Sequence, residues 1–112
     1  MFKHYLSYQL VLSFEQCCRG LELEPAVKGE LLASCRKTVV HFSTALQTGD
    51  DRERLRSFCV ALLCLRDCKE VLDRAGVTTF DVRGRWEVIH ARMEHLCLEA
   101  SEAEGGQLQL IG

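Results

Sequence analysis

Helix breakers are scarce in this chain. One proline, Pro25, and eight glycines occur in 112 residues, so little in it interrupts long helices. No run of 18 apolar residues occurs, which excludes a membrane-spanning helix from this reading. The opening residues Met1-Phe2-Lys3-His4-Tyr5-Leu6 lack the apolar core of a secretory signal, because Ser7, Gln9, Ser13 and Glu15 interrupt it. An excess of one charge is missing as well. Fourteen basic and 16 acidic side chains leave a formal net charge of -2. That balance predicts neither a strong nucleic-acid binder nor a membrane-surface protein. Glycine-rich phosphate loops are absent. The paired Glu-x-x-His motifs of a di-iron bundle are absent too, since Glu87 and His90 supply one copy only. His4, His41, His90 and His95 stand in no local signature of a cysteine hydrolase. The expectation is a protein without enzymatic activity and without a cofactor.

What is present is material for a core. Hydrophobic residues make up 47% of the chain, enough for the modest single core of one domain. Cysteine is abundant, at seven residues. An odd count with no signal peptide argues against a secreted disulfide framework. The cysteines fall at core positions of helical patterns, so reduced, buried thiols in a cytoplasmic protein are expected.

Four helical segments can be read. The first runs from about Lys3 to Arg19, with Tyr5, Leu6, Gln9, Leu10, Leu12, Ser13 and Cys17 as an imperfect apolar stripe and Gly20 as its stop. Pro25 suits the first turn of the second helix, where its missing N–H costs nothing. That helix carries Leu32, Cys35, Val39, Phe42 and Leu46 at steps of three and four and ends at Gly49. Asp50-Asp51 caps the third helix, whose seam holds Leu55, Phe58, Leu62, Leu65, Lys69 and Leu72. Cys59, Ala61, Leu63, Cys64, Cys68 and Val71 widen its apolar surface, which predicts burial on more than one side. Ala75-Gly76 closes it. Thr78 and Asp81 resemble a capping box ahead of a fourth helix carrying Val82, Trp86, Ile89, Met93, Leu96 and Ala100. Short connections favour antiparallel neighbours, hence an all-α, up-down-up-down four-helix bundle over residues 1–104. Residues 105–112 are expected to form a flexible tail.

Two constellations invite a chemical reading. Cys64 and Cys68 share a helix face, and with His90 or His95 they would make a conceivable zinc site. Cysteines four apart on an apolar face are more commonly packing, so no metal is expected. The other constellation is a run of cations, with six basic groups between Ser34 and Arg66 against Asp50, Asp51 and Glu53. These six are Arg36, Lys37, Arg52, Arg54, Arg56 and Arg66. The bland reading is a solvated face with i,i+4 pairs such as Arg66 to Glu70. In an oligomer, symmetry multiplies even a small excess, and the face then suits a phosphate backbone.

The stretch Ser34-Cys35-Arg36-Lys37-Thr38-Val39-Val40-His41-Phe42-Ser43-Thr44-Ala45-Leu46-Gln47-Thr48-Gly49 resembles the second helix of the four-helix-bundle proteins encoded in 23S rRNA intervening sequences. Arg36, Lys37, Val40, Phe42, Leu46 and Gly49 fit that family's pattern. In the third helix Phe58, Ala61, Leu65 and Asp67 match, with Cys64 at a serine position. Where the family's second helix ends in Asn-Ile-Ala-Glu-Gly, this chain has Ala45-Leu46-Gln47-Thr48-Gly49. The same superfamily includes the accessory variability determinant proteins of diversity-generating retroelements. The resemblance implies a homopentameric ring that binds a reverse transcriptase and its RNA or DNA, with the six cations on phosphates. A scaffold that binds protein partners only is the alternative, and a thiol-metal bundle is a third.

Overall fold

The computed structural model describes residues 2–105. Its regular structure is entirely helical: α1 spans Phe2–Arg19, α2 Pro25–Gln47, α3 Asp51–Arg74 and α4 Phe80–Ala103. Among the described residues there is no strand. Gly105 follows the cap of α4 with φ 114°, and the rest of the expected tail lies outside the described residues.

Local chemistry sets the ends of these helices. Pro25 opens α2 at its first turn, where no N–H is needed. At the α2–α3 turn, Asp50 Oδ2 accepts from the Glu53 N–H at 3.0 Å, and Thr48 Oγ1 donates to Glu53 Oε1 at 3.0 Å. The Thr48 hydroxyl oxygen also accepts from the Asp50 N–H at 3.2 Å. The cap thus satisfies the Glu53 N–H, one of the otherwise unpaired donors of the first turn of α3. Gly76 closes α3 with φ 71°. That left-handed turn lets the Gly76 N–H reach the Asp73 carbonyl at 3.1 Å and the Val77 N–H reach the Leu72 carbonyl at 3.0 Å. The expected capping box at Thr78 and Asp81 does not form. Thr79 is the N-cap and makes no side-chain capping bond, because Asp81 turns instead to Arg85 at 3.0 Å.

Each helix packs against two others: α1 on α2 and α4, and α3 on α2 and α4. Pairs across each seam step down one helix as they step up the other. Tyr8 meets Phe42 and Glu15 meets Arg36 across α1 and α2. Glu30 meets Arg74 and Cys35 meets Cys68 across α2 and α3. Asp73 meets Arg83 and Arg52 meets Glu104 across α3 and α4. Ser13 meets Arg85 and Cys17 meets Asp81 across α1 and α4. Neighbours are therefore antiparallel, an arrangement compatible with a four-helix bundle.

The core holds Phe14, Phe42, Phe58, Leu31, Leu65, Leu72, Ile89 and Met93, all closed to solvent. Each stabilises the fold by roughly 1.5–3 kcal/mol relative to exposure. Two stripes differ from the sequence expectation. In α1 the buried face is Ser7, Val11, Phe14 and Cys18, while Tyr5, Leu6 and Leu10 face outward. In α2 the deepest positions are Leu31, Cys35, Thr38, Phe42 and Ala45, one step round from Leu32, Val39 and Leu46. Thr38 tolerates burial because its hydroxyl donates to the Ser34 carbonyl at 2.8 Å.

Candidate functional site

The six cations named from the sequence spread over several faces of the bundle. Arg36 leans toward α1, with Nε 3.7 Å from Glu15 Oε2. Arg52 lies 3.6 Å from Glu104 at the far end of α4. Arg54 serves the α2–α3 turn, donating to Asp51 at 2.7 Å and to the Thr48 carbonyl at 2.8 Å. Arg66 points at α4, where its Nε donates to His90 Nε2 at 3.1 Å and its Nη2 lies 3.6 Å from Glu94. Lys37 and Arg56 are exposed, and neither has an ion-pair partner among the described residues. Arg52 and Arg66 are 14 residues apart on α3, about 21 Å along the axis. The expected Arg66–Glu70 pair is replaced by these contacts to α4.

Glu15 is a residue that composition does not reveal as special. It is 7% exposed, and a carboxylate that deep needs a counter-charge. Arg19 supplies one at 3.0 Å, one turn along α1, and Arg36 approaches from α2. Directly inside this pair lie Cys18, Cys35 and Cys68, one thiol from each of α1, α2 and α3, all buried. Cys68 Sγ donates toward Cys35 Sγ at 3.8 Å. The neighbouring Cys18 and Cys68 thiols hold the Cys35 thiol below its ordinary pKa against the opposing effect of burial. Cys18 and Cys68 are pushed up, by their interaction with Cys35 and by desolvation. Cys35 and Cys68 stand on apolar surfaces readable in the sequence, whereas on α1 Cys18 and not the expected Cys17 turns to the core. The meeting of the three thiols at one level depends on the antiparallel registers.

The remaining thiols behave otherwise. Burial pushes Cys97 up to about 12, with Cys59 beside it. Burial also raises Cys64, with Asp67 adding to the effect, and Cys64 does not join Cys68 and a histidine in a ligand set. His90 instead stacks on Trp86 at 4.6 Å between ring centroids, with Lys69 over the same indole at 5.6 Å. Among the described residues, no group of three or more His, Cys, Asp or Glu side chains is placed to hold a metal ion. None of the described helices is long and apolar enough to cross a membrane.

Exposed apolar side chains stand on all four helices, including Tyr5 on α1 and Leu98 on α4. A hollow of about 330 Å³ between α1 and α4 is lined by Leu10, Phe80, Gly84, Val88 and Ile89, with Asp81 and Arg85 at its edge. Leu6, 63% exposed, and Phe80, 88% exposed, extend it outward. Across the bundle, Val40 on α2 and Leu63 on α3 stand 50% and 57% exposed. The order of packing puts the α1–α4 seam opposite the α2–α3 seam. Comparison with protein-family models, with curated proteins and with solved structures finds no match to this chain.

Proposed function

We propose that this protein is a non-catalytic scaffold that assembles from several copies and serves as an accessory to a retroelement reverse transcriptase. One observation carries the reading: large apolar side chains stand exposed on all four helices, around the α1–α4 hollow and, on the α2–α3 side, at Val40 and Leu63. Clustered apolar surface of this kind marks protein contact. Two different faces on opposite sides suit head-to-tail association, which closes into a ring when the rotation allows. The family resemblance of α2 and α3 supplies the pentamer and the polymerase as the assembly and the partner. In that assembly the nucleic acid is held by cations repeated from copy to copy. Lys37 and Arg56 lead this role, since neither is committed to a carboxylate among the described residues. Arg36, Arg52, Arg54 and Arg66 join it only by releasing the partners described above.

The test is fluorescence anisotropy of a structured RNA across a salt series. The expected result is a log K that falls linearly with log salt. Replacing Lys37 and Arg56 with Ala flattens the slope by about one for each phosphate no longer neutralised. Binding and slope that do not change in this double variant sink the assignment of those cations. Absence of RNA binding even at low salt shifts the reading to a scaffold for protein partners alone, which the same two apolar faces also favour.

A further inference from the structure

We propose that Cys18, Cys35 and Cys68 form an oxidation site in which Cys35 and Cys68 join α2 to α3 by a reversible disulfide, with Cys18 as the exchange thiol. The geometry is that of a relay. Cys35 is central: Cys68 touches it from α3 at 3.8 Å, and Cys18 of α1 lies buried in the same core cluster. Sulfurs in van der Waals contact need only side-chain rotation and a small approach of the helices to reach bonding distance. All three are closed to solvent, at 0–1% exposure. Bulky reagents are therefore excluded, whereas an oxidant the size of water enters through breathing of the core.

The chemistry follows from which thiol gives up its proton. Cys35 is favoured as the thiolate because Cys68 directs its S–H at it and the neighbouring Cys18 thiol acts in the same direction, while Arg19 on α1 adds positive potential against the opposing Glu15. The thiolate is the nucleophile in thiol oxidation. Its sulfur attacks one oxygen of a hydroperoxide, the O–O bond breaks, and Cys35 becomes a sulfenic acid. The departing hydroxide takes the former Cys35 proton and leaves as water. The Cys68 sulfur then attacks the sulfenic sulfur. The S–O bond breaks, the Cys68 proton goes to the leaving oxygen, and a second water departs. Two thiols and one hydrogen peroxide thus give one disulfide and two waters. Attack by Cys18 on the Cys35 sulfur moves the linkage to α1–α2 and returns Cys68 to the thiol, with no net change in oxidation state.

The experiment uses the reduced full chain treated with a few equivalents of hydrogen peroxide, quenched with a maleimide in denaturant and digested with trypsin. The expected product has lost two hydrogens, and its first disulfide joins residues 29–36 to residues 67–69. A linkage of residues 29–36 to residues 4–19 appears as the exchange product. Dithiothreitol reverses both. In Cys68→Ser the first linkage is replaced by the Cys18–Cys35 pair, and in Cys35→Ala disulfide formation from this cluster falls at least ~10-fold. Should Cys35→Ala fail to fold, the map of the unaltered protein decides alone. Cys35 and Cys68 recovered as maleimide adducts while Cys59 and Cys97 oxidise would overturn the proposal. So would Cys35 recovered as sulfinic acid without a partner.

Discussion

Trp86 donates its indole N–H to the Leu65 carbonyl of α3 at 2.8 Å, deep between α3 and α4. The contact gives a buried polar group its partner and fixes the ring against which His90 and Lys69 rest. Trp86→Phe removes the donor and part of the ring volume. We expect a loss of about 1–3 kcal/mol in urea unfolding, with little change in slope. Asp73 and Glu30 carry a second residue-scale consequence. The hydrogen bond from Arg83 holds Asp73 below the usual carboxylate range, and the one from Arg74 does the same for Glu30. A carboxylate depressed in the folded state contributes stability that is present above its unfolded pKa and is lost as pH falls through the folded one. The thermal midpoint is therefore expected to hold steady near neutrality and to fall as pH drops below about 4. Asp73→Asn makes that fall shallower. A midpoint that rises on acidification contradicts the pairing.

The helices themselves were largely legible in the sequence. Pro25, Asp50 and Gly76 mark the ends where the structure puts them, because each acts through its own backbone or its immediate neighbours, while α2 stops at Gln47, two residues before the expected Gly49. Replacing Asp50 with Ala removes the acceptor for the Glu53 N–H, and we expect it to cost about 1 kcal/mol, read by chemical denaturation. What the sequence concealed was which face turns inward. The first helix has apolar residues all round, so Tyr5, Leu6 and Leu10 compete with Val11, Phe14 and Cys18 for the core. The outcome is set by α2 and α4, which periodicity within α1 does not contain. The Thr78–Asp81 expectation failed for a similar reason: Asp81 has Arg85 and Cys17 within reach. The wide apolar surface of α3 is mostly used inside the chain, with Cys64, Cys68 and Val71 buried and Leu63 left outside.

At the scale of the whole molecule, the candidate site was readable as a set of residue types and not as a place. Arg36, Arg52 and Arg66 are conspicuous in the sequence. Their partners Glu15, Glu104 and Glu94 lie on other helices, far away along the chain. Only the antiparallel registers bring them together, and those registers leave Lys37 and Arg56, of the six, without a carboxylate partner among the described residues. The packing leaves apolar faces outside, with Leu6, Leu10, Phe80 and Val88 exposed on α1 and α4 and Val40 and Leu63 exposed on α2 and α3. Association of copies through those faces is the claim on which the scaffold reading depends. Native mass spectrometry of the purified protein at micromolar concentration tests it most directly. The account predicts one dominant closed assembly, a pentamer of the 12.7 kDa chain, that dissociates when Leu63 and Phe80 are both replaced by charged residues. A 12.7 kDa monomer at every protein concentration contradicts it.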